Sequence, residues 1–352
     1  MMHSFVQYHL PVAFSFSSGL KILETAIVND ELIVVTFSNS AQIVALNYDL
    51  EPVWTKEPEM AFGNYVYPRV TVRQDSSMFC TSDINHVKFY SVDGTLLASF
   101  PHEEWYSFLG SGCHFSGDVA LFVTPSPGGD KLMLVSTVDF SVIQEYTLDG
   151  YQEYAYGFHA TSAPDLVFMD LAAGQDDTRL FKIRIQPDGM ELSELTACND
   201  EIFGAFAPSG KEFVTAPHYG EGIKVFSFPG GMQLAEIMQK TLFEGRNEYP
   251  AANDDSLEYQ VIYLNDDVLL TVTRFGRLLL IKRDEMLCFG ELLLEGNQLT
   301  AYNMKGRAVQ EGEEIEDYEG EVGAVKLLGE GRILVGYRDG SLRVYELLNK
   351  FL

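Results

Sequence analysis

GEVGAVKLLGEGRILVGYRDGSLRVYEL, residues 320–347, holds three short runs of β-branched and aromatic residues separated by two tight turns. Looser copies of the phrase recur along the chain. One apolar residue in each second run marks the period: Leu32, Met78, Val119, Leu166, Phe213, Val268 and Ile333. The gaps between them are 46, 41, 47, 47, 55 and 65 residues. The first four match one four-stranded propeller blade of about 40–45 residues. The last two are longer because 240–258 and 296–320 read as insertions between units.

The punctuation repeats with the apolar runs. The first turn of each unit falls at Asn29-Asp30, Gln74-Asp75, Ser116-Gly117, Pro164-Asp165, Ser209-Gly210, Asn265-Asp266 and Glu330-Gly331. These residue types accept turn geometry. Runs between turns, such as LIVVTF, VALFV and RLLLIK, read as strand rather than helix. The spacing therefore predicts an all-β chain, a seven-bladed β-propeller, as one domain over 1–352. Radial repetition leaves only short, protected sheet edges. The last unit ends with three strands. Residues 5–10, within a lead-in of 1–19, are expected to add the missing strand and close the ring.

The pattern resembles a degenerate WD40-repeat propeller. Gly323-Ala324-Val325, the turn at 329–331 and Asp339-Gly340-Ser341-Leu342-Arg343-Val344-Tyr345 resemble the family consensus most closely. Residues 86–93 and 222–228 resemble its third strand and following turn. Tyr345, Phe89 and Phe226 stand near the family's Trp position, and Glu321 where a His is usual. The buried polar network of strong WD40 repeats is therefore expected to be missing from most blades.

Hydrophobic residues make up 46% of the chain, enough for a large core. No apolar run approaches the roughly 18 residues that span a membrane. The start, MMHSFVQYHLPVAF, lacks a basic segment followed by a long apolar one, so no signal peptide is expected. Cys80, Cys113, Cys198 and Cys288 occur singly and are expected as buried, reduced thiols in a cytoplasmic protein.

Lys plus Arg is 24 and Asp plus Glu is 51, giving 24 − 51 = −27. A field of that sign repels phosphate backbones, which argues against direct nucleic-acid binding. It suits a protein partner with a basic surface; the oligomeric state is open. The acids cluster. EGEEIEDYEGE, 311–321, carries seven acids and no base, and NEYPAANDDSLE, 247–258, adds Glu248, Asp254, Asp255 and Glu258. By strand count both lie in inter-blade connections, which open on one propeller face.

An acid or amide beside a large apolar residue precedes many first strands, as in Asn64-Tyr65, Glu104-Trp105, Glu153-Tyr154, Glu201-Ile202, Glu258-Tyr259 and Glu321-Val322. One reading packs the apolar residue between blades and caps the strand entrance with the acid. The other offers the aromatics to a partner, since Tyr and Trp dominate interface hot spots and suit Arg or Lys by cation–π contact. The candidate partner-binding set is Trp105, Tyr106, Tyr154, Tyr249, Glu313, Glu314, Glu316, Asp317 and Tyr318. Tyr67, Tyr151 and Tyr156 are further aromatics near strand entrances.

Catalytic signals are sparse. The seven histidines show no metal-ligand spacing, and no metal or cofactor is expected. His114 and His159 fall on first strands, where they could line the channel or serve as core histidines. No nucleophile elbow, Walker loop or dinucleotide fingerprint occurs. The sequence thus points to a non-catalytic interaction module. The alternative is a propeller enzyme, a lactonase-like hydrolase with its site at the channel mouth.

Overall fold

A computed structural model describes residues 5–348 except 64–66, 106–109, 153, 174–176, 187, 217–221, 244–254, 298, 304, 306, 309, 311–316, 321 and 330, with backbone alone at 173, 243, 259, 299 and 317–320. The chain is almost entirely β, and its seven sheets of four or five strands are the blades of a seven-bladed β-propeller. It folds as two compact units: residues 22–47 with 52–200, and residues 1–21 with 48–51 and 201–352.

The first unit holds blades 1 to 4. Blade 2, for example, runs Arg69–Val72, Met78–Ser82, His86–Ser91 and Leu96–Pro101, each strand antiparallel to the one before. The second strands are buried on both faces, so they read as continuous apolar runs rather than as alternation: all six residues of Leu32–Phe37 are buried. The fourth strands are largely exposed, as in Val142–Thr147. Side chains from adjacent blades interlock. Val34, Ile43, Val70, Val72 and Phe79 share one cluster between blades 1 and 2. Cys80, Phe89, Cys113 and Phe122 share another between blades 2 and 3, and Leu121, Leu134, Met169 and Ile183 a third between blades 3 and 4. Each fully buried Phe or Leu is worth about 1.5–3 kcal/mol over leaving it exposed. Blade 4 carries an extra short strand, Gly110–Ser111, parallel to its first strand Ala155–Ala160.

The second unit holds blades 5 to 7 and corrects one sequence expectation. The strand that completes the last blade is Val12–Ser17, antiparallel to Ser341–Glu346. Residues 5–10 do not close that blade. Val6–Leu10 instead lies parallel to Leu287–Leu294 as a fifth strand on blade 6, with Val6 opposite Gly290. Gly290 permits the approach, because a Cβ there would sit 2.6 Å from the Val6 carbonyl oxygen. Pro11, which has no N–H to donate, separates the two strands. The next N–H, that of Val12, donates to Glu295 Oε2 at 3.0 Å. The 296–320 insertion contributes a small hairpin, Leu299–Tyr302 paired with Asp317–Gly320. All four cysteines are buried free thiols.

Candidate functional site

In blade 2 the turn between second and third strands is organised by Asp83, which is 1% exposed. Its Oδ1 accepts the N–H groups of Asn85 at 3.1 Å and His86 at 2.8 Å, and Oδ2 accepts that of Ala61 at 3.0 Å. Two inter-blade connections are thereby fastened to one turn. The first is held at Ala61; the second at His102 N, which donates to Asn85 O, and Trp105 N, which donates to Ile84 O, both at 2.9 Å. Exposed on these connections are Glu57, Glu59, Glu103 and Glu104. Among them stand Phe62 at 40% and Tyr67 at 42% exposure. No Lys or Arg occurs in 57–68 or 102–109, so the local sequence does not neutralise the carboxylates.

Trp105 does not share that exposure. It is 3% exposed and packs with Leu121, Val167 and Tyr156 in the core between blades 3 and 4. Its ring centroid lies 6.0 Å from that of His102 and 6.2 Å from that of Tyr156. The peptide bond to Ile84 turns the indole inward while Glu104 faces solvent, so this pair follows the packing arrangement. A ring buried to this degree offers a partner no open face.

Tyr154 is half-buried in a charged cluster of blade 4. Its hydroxyl donates to Asp177 Oδ2 at 2.5 Å, and its ring meets Tyr151 edge-on at 5.3 Å. Burial and the hydrogen bond to Asp177 push its phenol up to about 12. Arg179 sits among three carboxylates: Asp177 at 2.8 Å, Asp200 at 3.4 Å and Glu194 at 3.7 Å. Tyr106, Tyr249, Glu313, Glu314 and Glu316 lie outside the described residues. Asp317 and Tyr318 are described only as backbone, in the insertion hairpin.

The acid ahead of blade 5 is a capping residue. Glu201, 8% exposed, accepts from Thr215 Oγ1 at 2.7 Å and from Lys224 Nζ at 2.5 Å. Polar networks are thus present, but built from different residues in each blade. Asp130 accepts from Tyr156 in blade 4, Arg277 pairs with Glu291 in blade 6, and Tyr337 meets Tyr345 in blade 7.

A second group of titratable side chains lies on the first strands of blades 2, 3 and 4. Cys113–Ser116 of blade 3 packs between Arg69–Val72 and Ala155–Ala160. Val70 and Val72 belong to the core toward blade 1, which turns Arg69 and Thr71 to the other side. There Thr71 Oγ1 accepts from Cys113 N at 3.4 Å. His159 Nε2 lies 2.6 Å from Oδ1 of Asp170, on the second strand of blade 4. Burial raises the Asp170 carboxyl, but the facing charge and hydrogen bond of His159, helped by the charge of Arg69, hold it below the ordinary value. Burial, with the charge of His159, lowers His114 to about 4, so its ring is neutral at pH 7. Sequence reading placed both histidines on first strands but missed Arg69 and Asp170. The hairpin register would have revealed Asp170, since it falls opposite Gly157, two residues before His159.

Among the described residues, no group of three or more His, Cys, Asp or Glu is placed to hold a metal ion. Also among them, no helix is long and apolar enough to cross a membrane. No protein-family model matches the chain, and no curated protein matches it.

Proposed function

We propose that this propeller is a non-catalytic interaction module that presents an acidic, aromatic face to a protein partner with a basic surface. The observation that carries this reading is the pair of connections fastened to the Asp83–His86 turn. They expose Phe62 and Tyr67 among Glu57, Glu59, Glu103 and Glu104. Arg and Lys side chains suit such a surface, because the ring face attracts the cation while the carboxylate pairs with it. The acidic connections 311–321 and 247–258 extend the same chemistry, with Glu313, Glu314, Glu316, Asp317, Tyr106 and Tyr249 as further contacts by sequence. We place the protein in the cytoplasm and among degenerate WD40-like propellers, on its single buried thiols and the motif at 320–347.

The test is quantitative affinity purification from native lysate with wild type and with Phe62→Ala/Tyr67→Ala. The reading requires a basic protein held by the first and lost from the second, with both chains melting alike.

A second reading, a propeller enzyme of the hydrolase class, is favoured by one observation, the His159–Asp170 contact at 2.6 Å. A carboxylate that orients an imidazole is a recurrent arrangement in general-base catalysis. Turnover of ester or lactone substrates that is lost in His159→Gln would replace the first reading with this one.

A further inference from the structure

We propose that Arg69, His114 and the His159–Asp170 pair form a binding site for a small organic monoanion, a carboxylate with a hydroxyl or carbonyl on the adjacent carbon. The site is separate from the loop face and does not depend on any protein partner.

Arg69 is the first argument. It is half-buried on the first strand of blade 2, yet has no hydrogen-bond or ion-pair partner among the described residues. This is unexpected in a chain with 51 acids and 24 Lys and Arg. A guanidinium presents a planar fork of donors that matches a carboxylate in a two-point contact. An Arg left unpaired on a partly desolvated wall is a receptor for such a group.

The second argument is the set of side chains beside it. His114 stays neutral under burial, so one ring nitrogen donates and the other accepts. It can therefore bond either a hydroxyl or a carbonyl oxygen. His159 is held in place by Asp170, whose carboxylate fixes the direction of Nε2 at 2.6 Å. Both side chains of this pair remain 34% exposed, so a ligand can reach them.

The third argument is charge. Arg69 and Asp170 sum to +1 − 1 = 0 when His159 is neutral, and the site reaches +1 when His159 is protonated. A monoanion is the charge such a site accommodates. A dianionic phosphate would face the Asp170 carboxylate with one charge too many. The ligand class is therefore a 2-hydroxy or 2-oxo carboxylate.

Calorimetry and saturation-transfer NMR on the full chain test this, with lactate, pyruvate, acetate and inorganic phosphate as probes at constant ionic strength. Saturable binding of lactate or pyruvate is expected, tighter than acetate and tighter than phosphate. Arg69→Gln should weaken it about tenfold or more, whereas Arg69→Lys, which keeps the charge and loses the fork, should weaken it less. Lys131→Gln, which removes an exposed ion pair with Glu145, should leave it unchanged. No saturable binding of any carboxylate at about 10 mM would overturn the site, as would equal binding by Arg69→Gln. Phosphate binding tighter than lactate would overturn the ligand class. If Arg69→Gln fails to fold, Arg69→Lys is compared with wild type in its place, and equal affinity for lactate overturns the site.

Discussion

Asp170 reaches His159 across the backbone of Gly157. Oδ1 lies 2.6 Å from Nε2, and a Cβ at residue 157 would overlap that same oxygen. The absent side chain on one strand is what lets the next strand's carboxylate touch the histidine two residues on. Gly157→Ala should therefore break the pair. The expected loss is about 1 kcal/mol, at the low end for a charge-assisted bond because both partners are partly exposed. Urea denaturation of Gly157→Ala, Asp170→Ala and the double variant checks it. If the pair is the common target, the double variant loses no more than Asp170→Ala alone.

Arg277 and Glu291 form a two-point ion pair in blade 6, Nε to Oε1 at 2.9 Å and Nη2 to Oε2 at 3.2 Å, with side chains 3% and 1% exposed. Arg277→Met leaves a buried carboxylate facing no cation and should cost about 3–5 kcal/mol. Arg277→Met with Glu291→Leu removes both charges and should recover most of that loss. Denaturant midpoints of the two variants decide it; equal destabilisation in both would contradict the prediction.

Burial pushes Asp255 up to about 6 against an ordinary value of 3.8, although its Oδ1 accepts the N–H groups of Ser256 and Phe275. A raised carboxyl favours folding while it holds its proton, so its contribution is full below about pH 4 and is lost as pH rises through about 6. Asp255→Asn keeps the acceptor oxygen and removes the titration. It should match wild type near pH 4 and exceed it by about 1–3 kcal/mol at pH 7. Paired melting curves across that window test the sign.

Truncation separates the two N-terminal strands. Removing residues 1–10 takes away the fifth strand of blade 6 and the buried Leu10, and should lower the melting temperature while leaving the chain soluble. Removing residues 1–18 also takes away Val12–Ser17, exposing the edge of Ser341–Glu346, and should cause aggregation. Equal behaviour of the two truncations would contradict this pairing.

The repeat was legible because punctuation and burial coincide. Leu32, Met78, Val119, Leu166 and Val268 each begin a second strand, and Phe213 and Ile333 fall one residue inside theirs. Those strands are buried on both faces, so their apolar runs stand out in sequence. The closing strand was not legible. VQYHL and VAFSFS are both short strands beside Pro11, and nothing local says which sheet edge each meets. Trp105 was ambiguous for a similar reason. Glu104-Trp105 reads alike whether the indole faces a partner or the core, and the bond from Trp105 N to Ile84 O, which decides it, is a long-range contact. Tyr67 carries the same residue type in the same kind of connection and stays 42% exposed.

The central claim is that the face around the Asp83–His86 turn binds a basic protein. The most direct measurement is association and dissociation kinetics of the partner recovered from native lysate, on wild type, Glu103→Lys/Glu104→Lys and Tyr67→Ala, at about 0.1 M and 1 M salt, where the Debye length falls from about 10 to 3 Å. The account predicts slower association for the charge reversal, a gap that closes at high salt, and faster dissociation for Tyr67→Ala. Unchanged rates in both variants, or no basic partner recovered by the wild-type chain, would contradict it.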